Sequence, residues 1–130
     1  MAGEKKLQKL LASVRPELDR RIYVFCTVSE GEADGIPCIF RFREKEGLTV
    51  VTELDTAEAL HLDYEYQCRH ITLNVHSSLE AVGFLAAITS RLAAAGVSVN
   101  AVSAFYHDHL FVPPESVQKV MDLLAESGME

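Results

Sequence analysis

The second half of the sequence most constrains the fold, because two kinds of periodicity follow one another there. The run HITLNVH alternates apolar and polar residues, which is typical of a strand with one buried face. Apolar residues then recur at helical spacing from Val82 to Leu92, and Gly96 stands where a helix would end. VSVNAVSAFY and HLFV read as a strand pair, and Pro114 opens a last helix. The predicted order is strand, helix, strand, strand, helix, which favours a split βαβ fold.

The start and the outer side of the first of these helices carry further information. Ser77 and Glu80 have the spacing of a capping box, which predicts a helix beginning at about Ser78. The side away from the core stripe carries Phe84 and Ala87, and a solvated side would be more polar. We therefore expect this helix to pack on the other half of the chain or on a second subunit.

The first half is less regular. A helical pattern from Glu4 to Val14 ends before Pro16, and RIYVFCTV reads as a buried strand. An acidic, glycine-bearing loop leads to a hairpin made of PCIFRFR and LTVVT. A short helix with a capping box is predicted from Asp55 to Leu62, followed by a short strand in YEYQC.

Composition restricts the class of protein. A chain of 130 residues forms one compact domain or two small ones, and no apolar stretch is long enough to span a bilayer. The net charge of −7 argues against a nucleic-acid surface. Cys26, Cys38 and Cys68 lack metal-ligand spacing and are expected to be reduced, mostly buried thiols. We expect a cytoplasmic protein that binds neither nucleic acid nor membrane.

One segment resembles a known family. Gly83 to Gly96, followed by VSVNAV, is similar to the ACT-domain signature, in which a glycine opens the helix and AG-[IV]-x-[IV] leads into the next strand. Together with RPEL, YVFCTV and YHDHLFVP, the chain resembles a small bacterial family of stand-alone tandem ACT proteins. ACT domains are regulatory modules that bind amino acids and related small molecules. The resemblance implies an α+β fold of two ACT-like, ferredoxin-like halves with antiparallel sheets covered by helices.

The two halves implied by the resemblance both depart from the family pattern. Residues 1–67 would form an N-terminal half without the usual first helix, and residues 68–130 a C-terminal half without the usual last strand. We expect that strand to come from Tyr64 to Cys68 or from a neighbouring subunit. Because an incomplete sheet leaves an exposed edge, a homodimer is predicted.

A ligand site is predicted where two parallel strands end at one edge of the sheet. The start of the helix brings backbone N–H groups there, which suit a carboxylate. In several amino-acid-binding ACT domains the loop after the first strand carries His and Asn, and the second strand begins GVN. His76 fits the loop, Ser98 stands at the Asn position, and Asn100 follows two residues later. The predicted ligand-binding residues are His76, Ser77, Ser78, Ser98, Asn100, His107, Asp108 and His109.

Other interpretations of the same residues remain open. His76, His107, Asp108 and His109 could bind a divalent metal, or the histidines could be ordinary turn residues. The serines could only cap the helix. The favoured function is an amino-acid-binding regulatory protein without enzyme activity or cofactor. The alternatives are a small metal-dependent or hydrolytic enzyme that uses the histidine-rich edge, and an interaction domain without a ligand.

Overall fold

The chain forms two compact units that share two strands. A computed structural model describes residues 6–75 and 80–127. One unit contains the residues up to Arg20 together with those from Arg69 onward, and the other spans Arg21–Cys68. The strands β1 (Arg15–Val28) and β4 (Tyr64–Asn74) each contribute one portion to each unit.

The unit of residues 21–68 has the order strand, helix, strand, strand, helix, strand. After the second portion of β1 come α2 (Glu30–Ala33), β2 (Phe40–Glu44), β3 (Gly47–Glu53) and α3 (Leu54–Ala59), and the first portion of β4 follows. The sheet order is β2-β3-β1-β4, and β3 pairs antiparallel with both of its neighbours. The core of this unit contains Val24, Cys26, Val28, Ala33, Ile36, Leu48, Val50 and Ala57.

Of the two short helices in this unit, α2 has a side-chain N-cap and α3 has none. The sequence predicts a loop between β1 and β2, but the structure has the single helical turn α2. The Ser29 hydroxyl accepts a hydrogen bond from the Glu32 amide at 3.2 Å, and the Glu32 carboxylate accepts one from the Ser29 amide at 3.0 Å. The capping box predicted within Asp55 to Leu62 is absent, because Glu53 is the N-cap of α3 and makes no side-chain cap.

The other unit contains the same kinds of strands and helices, but one of its strands comes from the N-terminal part of the chain. It contains α1 (Leu7–Ser13), the first portion of β1, the second portion of β4, α4 (Phe84–Ala94), β5 (Asn100–Ser103), β6 (Asp108–Val112) and α5 (Val117–Ser127). The sheet order is β1-β4-β6-β5, with β6 antiparallel to β4 and β5. The core contains Leu10, Val14, Ile71, Leu73, Phe84, Ile88, Leu92, Val97, Leu110, Val112, Val117, Val120 and Leu124. The predicted α+β fold with antiparallel sheets and helices is confirmed.

The helix α4 begins six residues later than predicted. Gly83 is its N-cap with φ of 88°, a left-handed conformation that glycine adopts without strain, and Phe84 is the first helical residue. The predicted start at Ser78 is therefore wrong. The shift also changes the buried face, because Val82 is 83% exposed whereas Phe84 is only 3% exposed and lies in the core. Phe84 therefore does not belong to an outer apolar surface.

The last strand of this unit comes from the beginning of the chain. The guanidinium of Arg69 donates two hydrogen bonds, of 3.2 and 3.0 Å, to the carbonyl oxygen of Asp19. Farther along, the Asn74 amide donates to the Glu17 carboxylate at 2.7 Å. The first portion of β1 thus lies beside β4, so neither predicted source, Tyr64 to Cys68 or a neighbouring subunit, is the correct one. No helix in the described ranges is both long and apolar enough to cross a bilayer.

Candidate functional site

The end of β4 meets the turn that precedes β6. Leu73 lies opposite Asp108 in the antiparallel register. One step further, Nδ1 of His107 lies 3.4 Å from the carbonyl oxygen of Val75, the residue that directly precedes His76. The two chain segments that the sequence predicts to converge are therefore adjacent up to Val75. His76, Ser77 and Ser78 lie outside the described residues.

Asp108 is the most buried carboxylate at this edge. It is 8% exposed and accepts a hydrogen bond of 2.6 Å from the Ser103 hydroxyl. The hairpin is closed by the Ala104 amide, which donates to the His107 carbonyl oxygen at 3.0 Å. Ser103 was not among the predicted site residues. The signal for it was available, because an antiparallel pairing of β5 with β6 places Ser103 opposite Asp108.

Ser98 and Asn100 lie apart from this cluster. Both are exposed, and Asn100 is the first residue of β5, opposite Phe111. It is three residues from Ser103, which corresponds to roughly 10 Å along a strand. The structure thus brings Asp108 and His107 together near Val75, whereas Asn100 lies toward the other end of the same strands.

His109 takes part in a second polar cluster on the sheet face opposite the helices. Its Nδ1 lies 2.9 Å from Nε2 of His70, and the Thr72 hydroxyl is 3.3 Å from both nitrogens. Burial lowers the pKa of His109, and the nearby charges of His70 and His107 lower it further, while Asp108 acts in the opposite direction. His70 and Thr72 were not among the predicted site residues, although the alternation in HITLNVH places both on the polar face.

The described residues contain no group of three or more His, Cys, Asp or Glu side chains arranged to hold a metal ion. The predicted metal alternative also involves His76, which is not described.

The unit of residues 21–68 has an open cleft of about 330 Å³. It is lined by Phe25, Cys26, Thr27, Thr49, Asp63, Tyr64 and Glu65. Beside it, Tyr66 has φ of 61° and its ring lies 5.8 Å from that of Phe25.

Comparison with solved structures supports one fold over nearly the whole chain. A Vibrio cholerae protein of unknown function is 42% identical, with a TM-score of 0.86 over 95% of this chain and 97% of the other. An Agrobacterium tumefaciens protein is 22% identical, with a TM-score of 0.73 over 88% and 89% of the two chains. The ligand-free regulatory subunit of aspartate kinase from Thermus thermophilus is 9% identical, with a TM-score of 0.62 over 90% and 98%. These last two likenesses show the fold alone.

Family comparison gives the same result from sequence. Among curated proteins there is no significant match. Two ACT-domain family models match in succession, the first at residues 2–69 and the second at residues 65–126. The first match alone covers more than half of the chain, and the two together cover nearly all of it. The chain therefore belongs to the ACT-domain family, with two ACT domains in tandem.

Proposed function

We propose that the protein is a regulatory module that binds an amino acid or a similar small zwitterion and performs no catalysis itself. The observation that carries this proposal is the tandem pair of ACT domains, because such domains regulate through small-molecule ligands. The solved neighbours include a regulatory subunit of aspartate kinase, which is consistent with a regulatory role for this fold.

The edge beside Val75 is the site that we favour. Asp108 is a largely buried carboxylate held by Ser103, and a carboxylate in that position attracts an ammonium group. His107 lies next to it and reaches the end of β4. His76, Ser77 and Ser78 follow directly in the chain, and their imidazole and hydroxyl groups are the donors that we propose for the ligand's carboxylate. His109, Ser98 and Asn100 stay predictions outside this favoured edge, because Ser98 and Asn100 lie toward the other end of β5 and His109 contacts His70 on the opposite sheet face.

A homodimer and a cytoplasmic location belong to the same proposal. The strand β5 has only β6 as a neighbour in the described sheet, and its sequence NAVS contains no charged residue that would oppose pairing with another edge. Next to it Phe105 and Tyr106 are each 65% exposed. All three cysteines are free thiols, which fits a reducing compartment.

A thermal-shift experiment tests the ligand class. The full chain is heated with each of the twenty amino acids, and separately with magnesium, manganese and zinc chloride. An upward shift with one or a few amino acids supports the proposal, because a ligand that binds the folded state raises its stability. A shift with a metal alone would favour the enzyme alternative instead. Hydrolysis of an ester substrate in a separate activity assay would favour it too.

The double variant His76→Ala/Ser78→Ala tests the position of the site. Hydrogen bonds to a charged ligand are worth roughly 1.5–3 kcal/mol each, so the affinity should fall by about tenfold or more. His61→Asn combined with Ser90→Ala is the matched control, because both residues are exposed and neither is a predicted contact of the ligand. An unchanged affinity in the first variant would mean that the ligand binds elsewhere.

A further inference from the structure

His70 and His109 are joined by a contact that has room for only one proton. Their facing nitrogens are 2.9 Å apart, while the ring centroids are 5.1 Å apart with an angle of 27° between the planes. Because the nitrogens are much closer than the centroids, the rings meet edge to edge, as in an N–H···N hydrogen bond. If both facing nitrogens carried a proton, two N–H donors would point at each other, and with both rings fully protonated two positive charges would add to that repulsion.

Asp19 favours one position for the proton on His70. Its carboxylate lies 3.8 Å from Nδ1 of His70, and both side chains are mostly buried, with 16% and 14% exposed. The negative charge favours a proton on Nδ1, so Nε2 of a neutral His70 is an acceptor. Nδ1 of His109 must then donate, and Nε2 of His109 carries the lone pair. The first added proton binds there without breaking the contact.

We propose that His70 and His109 form an acid-sensitive latch between β4 and β6, closed while one proton bridges the two imidazoles and opened when both rings are protonated. The latch also involves β1, because Asp19 faces His70 from that strand. Among the described residues, the other charged or titratable groups around the pair are His107 and Asp108 next to His109, Arg69, whose guanidinium binds the Asp19 carbonyl oxygen, and Glu17, which binds Asn74 two residues beyond Thr72. Val102 faces His109 from β5 and does not titrate.

The surroundings of the pair make the second proton costly. The ring of His70 contacts both the ring of His109 and that of the buried Phe111, whose centroid is 5.2 Å away, so little water can solvate a doubly charged pair. Burial also lowers the pKa of His109, so the first proton is already bound less readily than by an exposed histidine. Opening would displace β6 at His109, directly beside Asp108, and does not depend on the proposed ligand.

Urea unfolding between pH 8 and pH 5 tests the latch. The folded protein binds its proton at His109 less readily than the unfolded chain, so stability should fall as the pH drops below about 6.5. Each unit of pKa difference corresponds to about a tenfold change in the unfolding equilibrium constant. His109→Asn retains a hydrogen-bonding side chain without this titration and should remove most of the fall. His61→Asn, an exposed histidine of the other unit, should leave the fall unchanged.

Nitrogen NMR of histidine-labelled wild-type protein gives a readout that does not require a folded variant. At pH 8 we expect protons on Nδ1 of both His70 and His109. On acidification the pair should titrate in two separate steps, and the amide signals of β4 and β6 should change at the second. The proposal is wrong if both rings become imidazolium in one ordinary step with these amide signals unchanged. It is equally wrong if a folded His109→Asn variant has the wild-type pH profile.

Discussion

At the scale of single residues, burial separates three thiols that look alike in the sequence. Cys68 is fully buried with its Sγ 3.4 Å from the Tyr23 carbonyl oxygen, and burial raises its pKa to about 12. Burial also raises the pKa of Cys26, which lies in the core of the same unit. Cys38 is partly exposed at the margin of that core. Since the thiolate is the reactive form, the three should differ in reactivity.

Alkylation of the native protein with iodoacetamide at pH 7.5 should modify Cys38 first. Cys26 and Cys68 should react only in molecules that have unfolded. In those molecules the rate should equal the rate measured in a denatured sample. Mass spectrometry of peptides after a time course measures each site separately. The Cys38→Ala variant is the control, and it should lose the rapid phase. Rapid native alkylation of Cys68 would contradict the burial on which this prediction rests.

At the scale of helices and strands, residue periodicity predicts the type of element better than its ends. The alternation in HITLNVH and the apolar stripe of α5 led to correct elements. The capping-box spacing of Ser77 and Glu80 did not locate the start of α4. An S-x-x-E pattern caps a helix only if the chain enters the helical conformation at that point. Gly83 provides that entry instead, as the resemblance to the ACT signature implied. The capping box that forms within the described part of the chain, at Ser29 and Glu32, was not predicted.

Gly83→Ala tests whether the left-handed N-cap fixes the start of α4. An added Cβ would meet only the Leu7 side chain at 3.8 Å, so space is available and the cost comes from the backbone conformation. We expect a loss of about 1–2 kcal/mol in the free energy of unfolding. Gly35→Ala is the matched control, since its Cβ would meet nothing within 4 Å and no left-handed conformation is required. Equal stabilities of the two variants by urea unfolding would contradict this account.

At the scale of the whole molecule, the sequence predicts two ACT-like domains but not how the chain is distributed between them. Periodicity acts over neighbouring residues, whereas the placement of Arg15–Arg20 beside β4 joins residues fifty or more positions apart. The segment RPELDR has no clear strand alternation that would have revealed it. The candidate site was predictable to a similar degree. The turn at His107 and Asp108 followed from topology, but the contact between His70 and His109 required the register of β4 and β6.

Because the residues up to Arg20 belong to the same unit as those from Arg69 onward, we expect the C-terminal ACT domain to need the beginning of the chain in order to fold. A fragment of residues 69–130 lacks the strand that pairs with β4. It also lacks Leu10 and Val14, which are buried against the core of that unit. Unpaired strand edges and an open core are both unfavourable in water. The fragment alone should therefore show no cooperative thermal transition by circular dichroism.

Addition of a peptide of residues 6–20 should restore folding of that fragment in a saturable manner. The peptide returns both missing parts, the helix α1 that carries Leu10 and the strand that carries Glu17 and Asp19, whose partners Asn74 and Arg69 are in the fragment. A peptide with Leu10→Ser is the control, and it should bind more weakly because a buried apolar side chain is replaced by a hydroxyl. Cooperative unfolding of residues 69–130 without any peptide would show that this segment completes its own sheet. The contribution of Arg15–Arg20 would then be an addition to an already stable domain.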